Sequence, residues 1–213
     1  MNEFIKRWGK AVAISLGIFI ILSCYLYLRR GYYNTYIINK VFGSTAVILA
    51  GITLLIGPLR KNPLASFFMA IRRQLGLLAF GAALLHVMFS LVQSNRFAWF
   101  SWYLNELIPV VFGIVAIVAW AYMTYISRNA KIVQMGADVW KKRLSLAGKI
   151  GFLAIFLHLV IMKYQGWIKW VNGDVKQTPE LANPSYPPAS IFIFIVMLAI
   201  IIFRIIHRNF FRS

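Results

Sequence analysis

Acidic residues and cysteine are scarce in this chain. Its 213 residues include five Asp or Glu against 23 Lys or Arg, which gives a formal net charge of +18 at pH 7. The single cysteine, Cys24, excludes an internal disulfide and cannot by itself hold an iron–sulfur cluster. Charged residues make up only 13% of the sequence and hydrophobic residues 61%, so an ordinary soluble domain is excluded as well.

The hydrophobic residues form long runs. Each run approaches the length of about 20 residues that an α-helix needs to cross a bilayer. The pattern predicts an all-α polytopic membrane protein, with one six-helix domain over 1–213. The expected spans lie at about 11–28, 41–59, 72–92, 108–126, 144–162 and 190–206. The first run is long for a signal-peptide core and lacks a clear cleavage site, so we expect no cleavable signal.

Basic residues concentrate at the ends of these runs. Six spans place both termini on one side, which carries 15 Lys and Arg against seven on the other, with Lys149 inside the fifth span. The positive-inside bias predicts cytoplasmic termini for this multi-pass protein. Charge placed in this way favours contact with anionic lipid. A nucleic-acid partner is not expected, because no zinc-finger or recognition-helix pattern accompanies the charge.

The segments between the spans differ in composition. The tyrosine-rich 31–40 and the basic 127–143 are expected to be connecting loops, and 64–71 to be a surface-lying helix or an early start of the third span. Segment 163–189 holds four of the seven prolines and is expected to form an ordered loop or a partner-contact surface.

Two histidines lie inside apolar spans. His86 comes 13 residues after Arg73 in the third span, and His158 comes 15 residues after Arg143 in the fifth. At a rise of about 1.5 Å per residue, both imidazoles lie roughly 20 Å beyond their basic anchors. Both spans run outwards in the predicted topology, so the histidines are expected at a similar depth in the outer half of the membrane.

Small residues precede each histidine along one helical face. Ala82 and Ala154 lie four residues before His86 and His158, and further small residues follow the same face at Ala79, Gly76, Gly151 and Gly148. Two facing stripes of this kind leave room for a flat cofactor, and we favour a haem b held by His86 and His158. The alternatives are close helix packing and a proton or ion path, although the five acidic residues all lie away from the centres of the spans.

Several short motifs carry a family resemblance. They are Gly-Ser-Thr-Ala at 43–46, Gly-Pro-Leu-Arg at 57–60, Arg-Arg-Gln-Leu-Gly-Leu at 72–77, Ala-x-x-Leu-His at 82–86, Trp140 and His158. In their order and spacing, over about 40–165, the chain resembles the ferric-reductase-like transmembrane family. Within that family it is most similar to the haem-binding membrane subunits (the MsrQ type) of bacterial periplasmic methionine sulfoxide reductase systems.

The resemblance implies a role in electron transfer. It maps the family's haem ligands onto His86 and His158, with electrons passed to a periplasmic molybdenum-containing reductase that repairs oxidised methionine. Both axial positions are then filled by protein, which favours relay over chemistry at the iron. A membrane quinol is the simpler donor and a bound flavin the other. The alternatives are a metal-chelate (ferric) reductase component and a non-redox transport protein.

One departure from the family pattern limits the cofactor count. Where relatives often carry a further histidine, 13 residues before His158, this chain has Ser145, and the corresponding residue of the third span is Arg73. One haem is therefore expected rather than two. Arg72 and Arg73 are candidates for binding the phosphate of a flavin mononucleotide or a haem propionate, with lipid anchoring as the alternative. Arg96 or Lys163 are further candidates for the propionates.

Overall fold

The computed structural model describes residues 2–57, 59, 63–92 and 106–210, and this part of the chain is helical with no strand. The seven helices are α1 Glu3–Arg30, α2 Thr35–Ile56, α3 Pro63–Val92, α4 Leu107–Ile126, α5 Asn129–Met135, α6 Ala137–Val171 and α7 Ala189–Phe210. Six of these seven are long and apolar enough to cross a membrane. The expected all-α, six-span fold class is confirmed, and the chain is a multi-pass membrane protein.

Several connections are more helical than the sequence pattern indicated. Helix α2 begins at Thr35, because the Asn34 side chain caps it by accepting the backbone N–H of Ile37 at 3.1 Å. The basic segment after α4 forms α5 and the first turns of α6, and 64–71 is the early start of α3. The expectation of loops at 31–40 and 127–143 is therefore wrong for the greater part of each segment.

Two further boundaries differ from the predicted ones. Helix α6 passes Gly166 without a break and continues to Val171, and the chain leaves the helical conformation at Gly173, whose φ is 76°. The expected loop therefore begins after Val171 rather than at Lys163. Helix α2 ends at Ile56, short of the expected 59, because the proline that follows Gly57 in the sequence cannot donate a helical hydrogen bond.

The loop that joins α6 to α7 is fixed to the end of α1. Gly31 ends α1 with φ of 80°, and a Cβ at this position would lie 2.8 Å from the Cβ of Ala182, so only glycine fits. Asn183 donates to Leu28 O at 2.6 Å, and Arg29 donates to Tyr186 O at 2.9 Å. This part of 163–189 is an ordered loop, which is one of the two expectations for it.

The helices pack as antiparallel pairs around one core. The two most extensive pairs are α2 with α3 and α4 with α6, while α1 lies against α2 and α3, and α7 against α2 and α6. Leu49, Ile71, Leu75 and Met197 are fully buried within this core. Large apolar side chains such as Ile21 and Val118 point outwards, as expected where lipid is the solvent. The end of the bundle at which α1, α3 and α6 end and α2, α4 and α7 begin is called the histidine end below.

Candidate functional site

His86 is held against α2 by a backbone contact. Its Nδ1 lies 3.0 Å from the carbonyl oxygen of Asn39. A carbonyl oxygen only accepts hydrogen bonds, so Nδ1 carries the proton and donates it. In a neutral imidazole the lone pair is then on Nε2, which is the nitrogen directed away from this contact. A ring fixed in this tautomer by its other nitrogen is the usual arrangement of a metal-binding histidine.

A glycine allows the imidazole of His86 to approach α2. A Cβ at Gly43 would lie 3.0 Å from His86 Nδ1 and 3.2 Å from its Cε1 and Cγ. Any larger residue would push the ring away from Asn39 O. Gly43 follows Asn39 by four residues, so the carbonyl and the glycine Cα lie on the same face of α2.

His158 is held against α4 in the same way. Its Nδ1 lies 2.7 Å from the carbonyl oxygen of Pro109, so it too donates from Nδ1 and keeps the lone pair on Nε2. A Cβ at Gly113, four residues after Pro109, would lie 3.4 Å from His158 Nδ1. Each histidine therefore uses a carbonyl and a glycine one helical turn apart on its partner helix.

The two imidazoles lie at the same end of the bundle. His86 on α3 contacts the start of α2, His158 on α6 contacts the start of α4, and α3 itself packs against α4, so the two helix pairs are neighbours. Each histidine is half-buried. The site therefore offers two neutral nitrogen ligands, each with a fixed tautomer. This donor set fits an iron porphyrin, whose macrocycle supplies four nitrogens and leaves two axial positions for the protein.

The stripes of small residues do not both face a cofactor space. A Cβ at Gly151 would lie 3.0 Å from Trp120 Cδ1 and Nε1, and one at Gly148 would lie 3.4 Å from Met123 Sδ. On α6 these two glycines allow close packing of α4, so the expectation that they leave room for a cofactor is wrong. Gly76 on α3 has open space beside it.

The alanines nearest the histidines are placed differently from each other. Ala154 is buried, 4% exposed, whereas Ala82 is half-buried against the edge of the core. Both precede their histidine by one helical turn, as expected from sequence. No contact of either alanine tests a role in cofactor binding, and this role remains a prediction.

Arg72 and Arg73 lie far from the histidines along α3. Arg72 precedes His86 by 14 residues, which is about 20 Å of helix. Its Nε donates to Thr53 O at 2.9 Å near the end of α2, and Arg73 donates to the Asn129 side chain at 2.9 Å. Both arginines therefore hold helix ends together at the opposite end of the bundle, away from His86.

Of the remaining candidates, Lys163 and Ser145 lie among the residues that the structure describes. Lys163 lies at the histidine end, five residues beyond His158 on α6. Arg96 lies outside the described residues. Ser145 is exposed on α6, more than three turns from His158. Within the described ranges, no group of three or more His, Cys, Asp or Glu side chains is placed to hold a metal ion.

The sequence matches no protein-family model and none of the curated proteins. Function is therefore inferred from the chemistry of the site.

Proposed function

We propose that the chain is a haem b electron-transfer subunit with His86 and His158 as axial ligands. The observation that carries the proposal is the repeated arrangement of the two histidines. Each donates Nδ1–H to a backbone carbonyl, at 3.0 Å for His86 and 2.7 Å for His158, so each has Nε2 available as a ligand.

A bound haem b would supply one-electron redox chemistry at this site. The protein's part is to fix both axial ligands, to keep water from the apolar surroundings and to leave no open iron position for oxygen or substrate. That arrangement favours relay over catalysis at the metal. We propose a quinol or a flavin as donor and a periplasmic molybdenum-containing reductase of the methionine sulfoxide type as acceptor. The proposed topology has both termini cytoplasmic in a bacterial inner membrane.

The relay is tested with purified protein, a water-soluble quinol and carbon monoxide. We expect the quinol to reduce the haem in wild-type protein. Carbon monoxide should leave the reduced spectrum unchanged, because both axial positions are occupied. His86→Ala and His158→Ala proteins that retain haem should bind carbon monoxide, since one position is then open. A wild-type protein that binds carbon monoxide readily would contradict ligation by both histidines.

A metal-chelate reductase is separated from the relay by its acceptor. Reduced protein is mixed with a ferric chelate in the absence of any partner protein. We expect slow reoxidation, because the relay is proposed to deliver its electrons to a partner protein. Rapid, saturable reoxidation by the chelate would favour the ferric reductase assignment instead.

A further inference from the structure

A group of basic residues lies beside the candidate haem site. Lys40 directly follows Asn39, whose carbonyl binds His86, and it lies three residues from Gly43 towards the histidine end. Lys163 lies five residues beyond His158 in the same direction, which is about 7.5 Å along α6. Both lysines thus lie on the side of the imidazoles that faces the histidine end, Lys40 on the α2–α3 pair and Lys163 on the α4–α6 pair.

The surroundings of Lys40 are aromatic and cationic. Its Nζ lies 4.0 Å from the centre of the Tyr36 ring, and Arg30, which follows Arg29 in the chain, places its guanidinium carbon 5.7 Å from the same ring centre. The side chain is half-buried. A cation held among other cations in apolar surroundings is unfavourable unless an anion joins the group.

The two arginines of this group already bind the α6–α7 loop. Arg29 donates from Nε to Tyr186 O, and Arg30 donates from Nη1 to Glu180 O, each at 2.9 Å. These acceptors are neutral carbonyls, so they leave the positive charge of the arginines in place. The ion pairs Lys6–Glu3 and Lys141–Asp138 lie at the opposite end of the bundle. Three acidic residues, Glu106, Asp174 and Glu180, also lie at the histidine end, so the described part of this end carries a net positive charge through its six basic residues, Arg29, Arg30, Lys40, Lys163, Lys169 and Lys176.

We propose that Lys40 and Lys163 bind the two propionate carboxylates of the tetrapyrrole ligated by His86 and His158. The inference rests on the proposed function and deepens it, because it fixes which edge of the macrocycle faces the histidine end. Lys163 provides the link to the ligand His158, because it lies about 7.5 Å beyond that histidine along α6, towards the histidine end. The phosphate of an anionic lipid has similar chemistry and is separated from a propionate by experiment.

The test compares a tetrapyrrole diacid with its uncharged ester. Apoprotein in a neutral detergent is titrated with haem b and with haem dimethyl ester, and binding is followed in the Soret band. A charge-assisted hydrogen bond to a carboxylate is worth enough to change affinity by about tenfold or more. We expect wild-type protein to prefer the diacid by at least that factor. Lys40→Met and Lys163→Met should each reduce the preference about tenfold and leave ester binding unchanged.

Two controls and a second readout accompany the titration. Lys149→Met removes a lysine from α6 about two and a half turns before His158 and should keep the wild-type preference. Lys40→Arg keeps the charge and should restore much of it. The reduction potential of bound haem should fall in Lys40→Met and Lys163→Met, because loss of a nearby positive charge disfavours the reduced, more negative state.

The outcomes separate the inference from the proposed function. His-dependent haem binding with equal affinity for diacid and ester would overturn the inference alone. Absence of His-dependent haem binding would overturn both. A third arm uses nanodiscs with and without phosphatidylglycerol. If the lysine variants lose affinity for that lipid while keeping the preference for the diacid, the lysines bind lipid phosphate and the inference is wrong.

Discussion

Replacing Gly43 by alanine is expected to weaken haem binding through His86. The new Cβ would lie 3.0 Å from His86 Nδ1, so the ring must move by a few tenths of an ångström and turn from its present rotamer. Such a distortion costs about 0.5–1.5 kcal/mol, which corresponds to a loss of affinity of about 2- to 12-fold. Alanine in place of glycine also favours the helix by about 0.5–1 kcal/mol, so the apoprotein should not lose thermal stability.

The two histidine sites supply a matched comparison for this prediction. A Cβ at Gly113 would lie 3.4 Å from His158 Nδ1, an ordinary contact distance, so Gly113→Ala should bind haem almost as wild type does. Gly76→Ala adds a methyl group to open space on α3 and controls for helix propensity alone.

The assay is titration of each apoprotein with haem b, together with the low-spin electron paramagnetic resonance spectrum of the oxidised protein. We expect wild type, Gly76→Ala and Gly113→Ala to bind haem with similar affinity. Gly43→Ala should bind haem clearly more weakly and show a shifted electron paramagnetic resonance spectrum. Equal affinities and spectra for Gly43→Ala and Gly113→Ala would refute the account of how these glycines position the rings.

Three further predictions concern the frame of the site. Gly151→Ala should destabilise the α4–α6 pair, because the new Cβ would lie 3.0 Å from Trp120, whereas Gly166→Ala places its Cβ in open space and should have no such effect. Thermal denaturation compares the two proteins, and equal melting temperatures would count against a packing role for Gly151. Arg72→Met should lower thermal stability, because the hydrogen bond to Thr53 O is lost, and should leave the haem spectrum unchanged. A changed spectrum would indicate that Arg72 does contribute to cofactor binding. Tyr25→Phe removes a 2.6 Å hydrogen bond to Pro187 O and should destabilise the attachment of the α6–α7 loop by about 1 kcal/mol. The loop should then be cleaved faster by a protease, and an unaltered cleavage rate would show that other contacts fix the loop.

The helices could be predicted because the apolar runs are long and their ends are marked by charge. Boundaries were less accurate where a polar segment continued a helix. The stretch from Lys163 to Val171 contains tryptophan and lysine, which suit a membrane interface and are also compatible with helix, so composition alone suggested a loop. Helix α5 is too short and polar to be distinguished from a loop by periodicity.

The histidines were identifiable from sequence, but the contacts that orient them were not. Asn39 contributes through its backbone carbonyl, and any residue type supplies a carbonyl. Gly113 gave no signal of its own, because a single glycine in an apolar helix is common. Asn39 and Gly43 are four residues apart, as are Pro109 and Gly113. This spacing can be interpreted only once the position of the opposing histidine is known. Lys40 was missed for a similar reason, since its position over the Tyr36 ring, which Arg30 of α1 also approaches, is seen only in the folded chain.

The most direct measurement is a visible absorption spectrum of purified protein, oxidised and dithionite-reduced, with haem content from a pyridine haemochrome assay. The account predicts about one haem b per chain, with a sharp reduced α-band that is lost or displaced in both His86→Ala and His158→Ala and kept in Lys149→Met. A protein that stays colourless after expression with sufficient haem, or a spectrum unchanged by either histidine substitution, would contradict it.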